Sequence, residues 1–220
     1  MCGRFINLNK INKLKKIFHP SKITNVFDCV SYNIAPTQSP IIITYSHNFS
    51  IKNAKWGFKY KDINNNEKNI INSRIETIND KIIFKESFKS RKCLIPSNGY
   101  FEWCNLESEK KPYFIQYQDL DTIFFAGIWK NINFQNKKLT AFTIITKNSK
   151  NNNISKIHDR MPVLLNVDEG INYLENSSDN FLNVNFTSIM DKNLEYYPID
   201  KYVNNPLNNS IKCIKPINKL

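Results

Sequence analysis

The 220-residue chain has no long apolar stretch. No apolar run approaches the roughly 20 residues that a membrane-spanning helix requires. The first residues also lack the charged-then-apolar pattern of a secretory signal. The hydrophobic fraction of 41% is that of an ordinary globular chain, long enough to bury a core. We therefore expect an intracellular protein with no membrane partner.

Cysteines are few, and none stands in a Cys-x-x-Cys pair. The five occur at Cys2, Cys29, Cys93, Cys104 and Cys213. An odd set without paired spacing argues against a disulfide framework and against a zinc site. A Gly-rich phosphate loop, a metal-ligand cluster and a cofactor motif are also absent from the sequence. We expect no cofactor, and we interpret the last four cysteines as structural.

Acidic residues are scarce relative to basic ones. The chain contains 19 Asp and Glu residues and 31 Lys and Arg residues, which gives a net charge of +12. Such an excess favours a polyanionic partner, with nucleic acid first. The chain is also rich in Asn, Lys and Ile, as AT-rich coding DNA tends to produce, so a merely solvated lysine surface stays open as an alternative. Arginine is rare and therefore more informative, at Arg4, Arg74, Arg91 and Arg160.

Strand signals dominate the chain. Short β-rich runs bounded by Asn, Asp, Gly and Pro lie at 41–45, 113–117, 122–129 and 139–146. The last two predict a hairpin across a polar link near 131–138. Strand follows strand without βαβ alternation, so we predict one α+β domain over residues 1–220. Its core would be a curved, mainly antiparallel, barrel-like sheet with flanking helices.

Helical spacing of apolar residues is limited to three segments. It predicts helices over 9–18, 77–88 and 168–175. The asparagine clusters at 64–66 and 151–153 indicate loop tips.

The second residue, Cys2, offers an unusual chemistry. Initiator methionine is normally trimmed before a small side chain, and trimming of Met1 would leave a thiol and a free α-amine on one residue. The amine condenses with an aldehyde to an imine, and the thiol then closes a five-membered thiazolidine. With ordinary pKa values of about 7.7–8.0 and about 8.5, both nucleophiles are partly available near neutral pH. The alternative is an incidental cysteine in a frayed terminus.

Three further segments are too unusual to be explained by packing alone. Residues 92–103 place Glu102 beside Trp103 after a Gly turn, residues 157–163 contain His158-Asp159-Arg160, and residues 71–77 contain Asn72 and Arg74. Together with the opening Cys-Gly-Arg-Phe, this set resembles the SRAP family, the SOS-response-associated peptidase domain of abasic-site processing proteins. Further segments that match the family in order are 32–38, 54–58, 125–129 and 203–216.

The resemblance implies a partner and a reaction. The partner would be single-stranded DNA with abasic sites, whose opened deoxyribose carries a C1′ aldehyde. Cys2 would trap that aldehyde as a thiazolidine crosslink and shield the lesion from strand cleavage. We expect a monomer in the SRAP fold, in the cytoplasm with the nucleoid if bacterial and in the nucleus if eukaryotic.

The resemblance also assigns catalytic helpers. His158 would shuttle a proton at the sugar oxygen during ring opening, for which a pKa of about 6.5 is suitable. Glu102 would move protons at the α-amine, preferably with a raised pKa. Asn72 would orient the amine or the sugar. The structural alternatives are a turn-capping histidine, a surface carboxylate and a plain loop asparagine.

Arginines are implied at the DNA phosphates. Arg4 and Arg74 match family positions that hold phosphates flanking the lesion, and the planar guanidinium suits bidentate bonds. Arg160 either joins them or pairs with Asp159 to support its loop.

Pro36 and Trp103 are implied to stack on bases beside the lesion. Trp56 either joins this DNA surface or packs in the core. The chain departs from the family pattern after Trp56-Gly57, where family members commonly have a proline and a second tryptophan. We expect Tyr60 to provide an aromatic surface in place of that second tryptophan.

Two alternatives to the crosslinking function stay open. Cys2 could be the thiolate of a cysteine peptidase with His158 as base, of which self-removal of Met1 is a limited version. A non-catalytic nucleic-acid-binding domain is the other alternative. A weak abasic-lyase side activity is compatible with crosslinking, because a lingering imine can undergo β-elimination.

Overall fold

Antiparallel strands form most of the structure, a computed structural model that describes residues 2–24, 26–27, 30–106, 109–118, 121–134, 137–176 and 182–217. The strands are β1 Phe5–Asn7, β2 Lys22–Thr24, β3 Ser31–Ile34, β4 Ile41–Ser46, β5 Asn48–Asn53, β6 Lys55–Trp56, β7 Phe58–Lys61, β8 Glu67–Ile70, β9 Asn72–Arg74, β10 Lys92–Ser97, β11 Gly99–Leu106, β12 Glu109–Tyr117, β13 Ile123–Phe134, β14 Lys137–Asn148, β15 Arg160–Pro162, β16 Leu164–Leu165 and β17 Leu194–Pro198.

Two large sheets carry these strands. The first has the order β17-β12-β11-β1-β3, and the second follows β15-β14-β13-β10-β4-β5-β2. Strand β16 pairs with β13, strands β6 and β9 pair in parallel with β14, and β7 and β8 form a separate hairpin. The α+β class with mainly antiparallel sheets is confirmed. The predicted barrel-like closure is not found, because in the described strands neither sheet closes on itself.

Helices cover the sheets at a few places. They are α1 Ile11–Phe18, α2 Ile82–Ser90 and α3 Val167–Glu175, with 3-10 helices at Ile75–Thr77, Asn153–Lys156, Ile189–Asn193, Lys201–Asn204 and Ile211–Ile214. None of the helices in the described part of the chain has the length and apolar character needed to cross a membrane.

The second predicted helix begins later than its apolar pattern indicates. Residues 75–77 form a 3-10 turn, and α2 starts only at Ile82 because Lys81 is extended, with φ −81° and ψ 118°. Asn79 and Asp80 intervene, and such side chains favour turns over a helix interior. The predicted hairpin is confirmed but is longer than expected, since Phe134 still pairs with Lys137. Polar residues extend its outer end because backbone pairing does not require apolar side chains.

Burial is deepest where the two sheets meet. All six residues of β10 are buried, which fits a strand covered on both faces. At the start of β1, the Phe5 ring lies edge-on to Trp56 at 5.2 Å and to Phe125 at 5.6 Å between ring centroids. These aromatic contacts fix the amino-terminal strand in the core.

Candidate functional site

Cys2 lies in the protein interior at the approach to β1. The backbone N–H of Phe101 donates to the Arg4 carbonyl at 2.9 Å, and Phe5 pairs with Tyr100 in register. Cys2 has no exposed surface and packs in the same apolar cluster as Phe5. The interpretation of Cys2 as part of a frayed terminus is therefore wrong.

Asn72 holds the main chain of Cys2. It opens β9, where it pairs with Ile144 of β14, and its Nδ2 donates to the Cys2 carbonyl at 2.9 Å. Asn72 is 8% exposed, and its Oδ1 has no hydrogen-bond partner among the described residues. The loop alternative is excluded, since Asn72 is a buried strand residue in contact with residue 2.

Glu102 is a buried carboxyl on β11, with 3% exposure. Burial raises its pKa to about 7, helped by the negative charge of Asp159 and opposed by the amino-terminal charge of the chain. Burial also raises the pKa of the Cys2 thiol, and the charge of Glu102 adds to that rise. The two groups are therefore close enough to interact, and Glu102 is poised to exchange protons near neutral pH.

His158 lies between the 3-10 helix Asn153–Lys156 and β15. Its Nδ1 lies 3.0 Å from the Arg160 backbone N–H and 2.8 Å from the Asp159 carboxylate. Burial lowers the His158 pKa, and the amino-terminal charge adds to this effect, while Asp159 opposes it from an 80% exposed side chain. The net direction favours the neutral imidazole at pH 7. When Nδ1 accepts from Arg160, the proton of the neutral ring is on Nε2.

One cleft brings the predicted carboxyl, imidazole and indole together. It has a volume of about 440 Å³ and is lined by Glu102, Trp103, Lys110, His158 and Asn204. Sequence reasoning gave no role to Lys110 or Asn204. Lys110 could have been found from strand pairing, because it lies on the strand that pairs with the one bearing Trp103.

A second, larger cleft of about 740 Å³ lies on the Asn72 side of Cys2. Arg74 lines it, and so does Tyr60, which fits the aromatic substitute predicted after Trp56-Gly57. Its remaining walls are largely apolar and come from Ile70, Ile82, Ile83 and Phe84, with Asp80 and Lys81. Cys2 therefore contacts one residue of this cleft, Asn72, and interacts with one residue of the first, Glu102.

Arg4 connects the site to the C-terminal segment. Its Nη1 donates to Asn33 Oδ1 and to the Val203 carbonyl, both at 2.8 Å, and its guanidinium lies 5.9 Å from the centroid of Trp103. Trp103 Nε1 in turn donates to Asn204 Oδ1 at 2.8 Å. These bonds fix the indole, and a phosphate contact by Arg4 stays a prediction.

Trp56 is a core residue in this structure. Its ring has no exposed surface, Nε1 donates to the Ile71 carbonyl at 2.9 Å, and the ring lies parallel to Phe142 at 6.2 Å. No face of the ring is available to a base, so the DNA-binding alternative for Trp56 is wrong. Pro36 is half-buried in the turn after β3, where the next N–H donates to the Trp56 carbonyl. Its stacking role stays a prediction.

Arg160 pairs with Glu76 and not with the adjacent Asp159 that the sequence suggested. Its two terminal nitrogens donate to the Glu76 carboxylate at 2.5 and 2.9 Å, and Nη2 also donates to the Thr146 carbonyl at 2.7 Å. Arg160 is 7% exposed. Asp159 lies in the bend before β15, and its carboxylate contacts His158 Nδ1 at 2.8 Å instead. The guanidinium therefore links β15 to β14 and to the 3-10 helix Ile75–Thr77, so we withdraw its assignment to DNA.

Three other cysteines are described by the structure, and none of them lines either cleft. Cys93, Cys104 and Cys213 are buried thiols without a disulfide, as expected for structural cysteines. Cys29 lies outside the described residues. Among those residues, no group of three or more His, Cys, Asp or Glu could hold a metal ion.

Comparisons with known proteins extend over nearly the whole chain. The family model "SOS response associated peptidase (SRAP)" matches residues 1–206. Abasic site processing protein YoaM of Bacillus subtilis (strain 168) is 31% identical over 229 residues, which cover 100% of both chains. Abasic site processing protein HMCES of Xenopus tropicalis is 27% identical over 85% of this chain and 66% of its own. A crystal structure of a Bacteroides thetaiotaomicron protein, 22% identical, superposes with a TM-score of 0.78 over 99% of this chain and 100% of that one. The chain therefore belongs to the SRAP family, as its motifs predicted.

Proposed function

We propose that this protein captures abasic sites in single-stranded DNA as a thiazolidine formed by Cys2, after Met1 has been removed. The observation that carries the proposal is the placement of residue 2, whose carbonyl Asn72 holds at 2.9 Å while its thiol interacts with Glu102. The names of the relatives, abasic site processing proteins, support the same lesion.

Ring opening of the deoxyribose is the first step. The closed sugar predominates, and opening needs a proton at the ring oxygen and the loss of one from the C1′ hydroxyl. His158 lines the 440 Å³ cleft and is neutral at pH 7, since burial lowers its pKa. A neutral imidazole can take the proton of the C1′ hydroxyl and, as the imidazolium so formed, give it to the ring oxygen.

Imine formation follows at the exposed aldehyde. The α-amine of Cys2 attacks C1′, the carbinolamine loses its hydroxyl as water, and a C=N bond forms. Glu102, with a pKa of about 7, can take the amine proton and return it to the leaving hydroxyl. A carboxylate with an ordinary pKa is a much weaker base and would take the amine proton far less readily.

Ring closure converts the imine into a saturated thiazolidine. The Cys2 sulfur adds to the imine carbon, the thiol proton is transferred to nitrogen, and the balance of the whole sequence is the loss of one water. A bare imine promotes β-elimination and strand cleavage, whereas the thiazolidine does not. We therefore expect any abasic-lyase activity to be weak.

A general peptidase fits the site less well. The thiolate is the nucleophile in such enzymes, and functional cysteines have a lowered pKa. Burial instead raises the pKa of the Cys2 thiol, and Glu102 adds to that rise. Removal of Met1 by the protein itself would be a limited step of this kind, which the intact mass of a Cys2→Ala variant tests directly.

A denaturing gel tests the proposed capture. Untagged protein that lacks Met1 is incubated with an oligonucleotide carrying one abasic site, and a heat-stable shifted band is expected. The band should vanish in Cys2→Ala and in a protein whose terminus is extended by two residues, which keeps the thiol but removes the aminothiol. Cys104→Ala, another buried cysteine, is the matched control and should crosslink normally. A band that persists in Cys2→Ala would contradict the proposal.

A further inference from the structure

The 440 Å³ cleft contains a cation to which nothing in the sequence drew attention. Of its five lining residues, Lys110 is the one lysine or arginine. It is exposed, and no carboxylate of the described residues lies within ion-pair distance of its Nζ. The adjacent carboxylate, Glu109, is paired with Lys201 instead. The positive charge of Lys110 is therefore available to a ligand in the cleft.

Strand register sets Lys110 beside the indole. Trp103 of β11 pairs with Pro112 of β12, and Lys110 lies two residues before Pro112. Residues two apart on a strand share a face, so Lys110 and Trp103 are diagonal neighbours, about 7–8 Å apart at their Cα atoms in regular sheets. Lys111 lies on the opposite face of β12, where it pairs with Cys104. The indole and the ammonium thus form one surface, and the next lysine along does not share it.

From this juxtaposition we propose that Lys110 binds a backbone phosphate of the DNA strand beside the abasic nucleotide. The inference rests on the proposed function and adds a binding residue to the same site. An aromatic face next to an ammonium group matches the alternation of base and phosphate along a single strand. Asn204 holds the indole in place through Trp103 Nε1 at 2.8 Å, so this surface is fixed before DNA arrives. Lys110 would act on affinity, since it is not among the groups that move protons at C1′.

Equilibrium binding at several salt concentrations tests this proposal. The probe is a single-stranded oligonucleotide with a reduced abasic analogue, which has no aldehyde and cannot crosslink. Loss of one phosphate contact lowers the slope of log K against log salt by about 0.7 for a single strand. We expect this change in Lys110→Gln, so that its affinity deficit shrinks about threefold when the salt concentration rises fourfold. Lys110→Arg should keep the wild-type slope.

Lys111→Gln is the matched control, since it removes the same charge one residue away on the other face. We expect its slope to equal that of the wild type. Equal slopes for Lys110→Gln and Lys111→Gln would overturn the proposal, whichever value they take. A wild type that binds the analogue through Lys110 but never crosslinks would leave this proposal standing and overturn the proposed function.

Discussion

Replacing Glu102 by Gln should stabilise the fold at alkaline pH and slow the reaction at the same time. Burial raises the pKa of Glu102 from its ordinary value of 4.5 to about 7. The folded state therefore holds a proton that the unfolded chain releases between these two pH values. Stability contributed by this group is fully present below pH 4.5 and is lost as the pH rises through 7.

The size of the effect follows from the shift. About 2.5 pKa units at 1.36 kcal/mol each correspond to about 3 kcal/mol of free energy of unfolding lost above pH 7. Glutamine has nearly the same shape and no charge, so Glu102→Gln should recover up to that amount at pH 8.5 and little of it at pH 4.5. For a chain of this length the gain corresponds to roughly 6–12 °C in melting temperature as an upper limit. Loss of general acid–base catalysis should slow crosslinking by about 10²-fold or more.

Melting curves of the wild type and Glu102→Gln across pH 4.5–8.5 measure the pH-dependent change in stability. Crosslinking rates at saturating DNA measure the loss of catalysis. Glu175→Gln, at the exposed end of α3, is the control and should shift neither. A melting-temperature difference between wild type and Glu102→Gln that does not change with pH would refute the assignment of a raised pKa to this carboxyl.

Two further predictions concern the contacts around residue 2. Asn72→Ala leaves the Cys2 carbonyl without its 2.9 Å donor, which should lower the free energy of unfolding by about 1–3 kcal/mol. Crosslinking at saturating DNA should slow about tenfold. An unchanged rate would show that Asn72 does not orient residue 2. Trp103→Ala should weaken binding of the abasic analogue by about 1–3 kcal/mol and, because its ring is only half-buried, should lower the melting temperature less than Trp56→Ala does. Trp56→Ala should lower the free energy of unfolding by about 3–5 kcal/mol and leave the DNA affinity of the folded protein unchanged. A selective loss of DNA binding in this variant would contradict the placement of Trp56 in the core.

Local sequence patterns singled out the residues of the candidate site, whose catalytic roles stay predictions, and predicted four of the strands, β4, β12, β13 and β14. Cys2, Glu102 and His158 stand in short motifs of unusual composition, and a motif does not depend on what lies far away in the chain. Those four strands were predictable because β-rich runs and turn residues are local signals. The onset of α2 was not, since its apolar spacing continues through a turn that only the extended Lys81 ends.

Partners distant in sequence account for the errors. Arg160 pairs with Glu76, 84 positions away, whereas the adjacent Asp159 contacts His158. Trp56 stands on a two-residue strand whose burial depends on Phe142 and on the carbonyl of Ile71. Neither the Arg160 pairing nor the Trp56 packing is visible in the residues next to it in sequence. The sequence around each residue is therefore compatible with a surface position and with a core position.

The most direct test of the account is the intact mass of the DNA adduct, measured with and without borohydride. A thiazolidine predicts the mass of protein lacking Met1 plus oligonucleotide minus one water, unchanged by borohydride, with the Cys2 thiol blocked to alkylation after denaturation. An imine has the same initial mass, but it gains two hydrogens on reduction and leaves the Cys2 thiol open to alkylation. That second result, or an adduct that retains Met1, would contradict capture through the amino-terminal aminothiol.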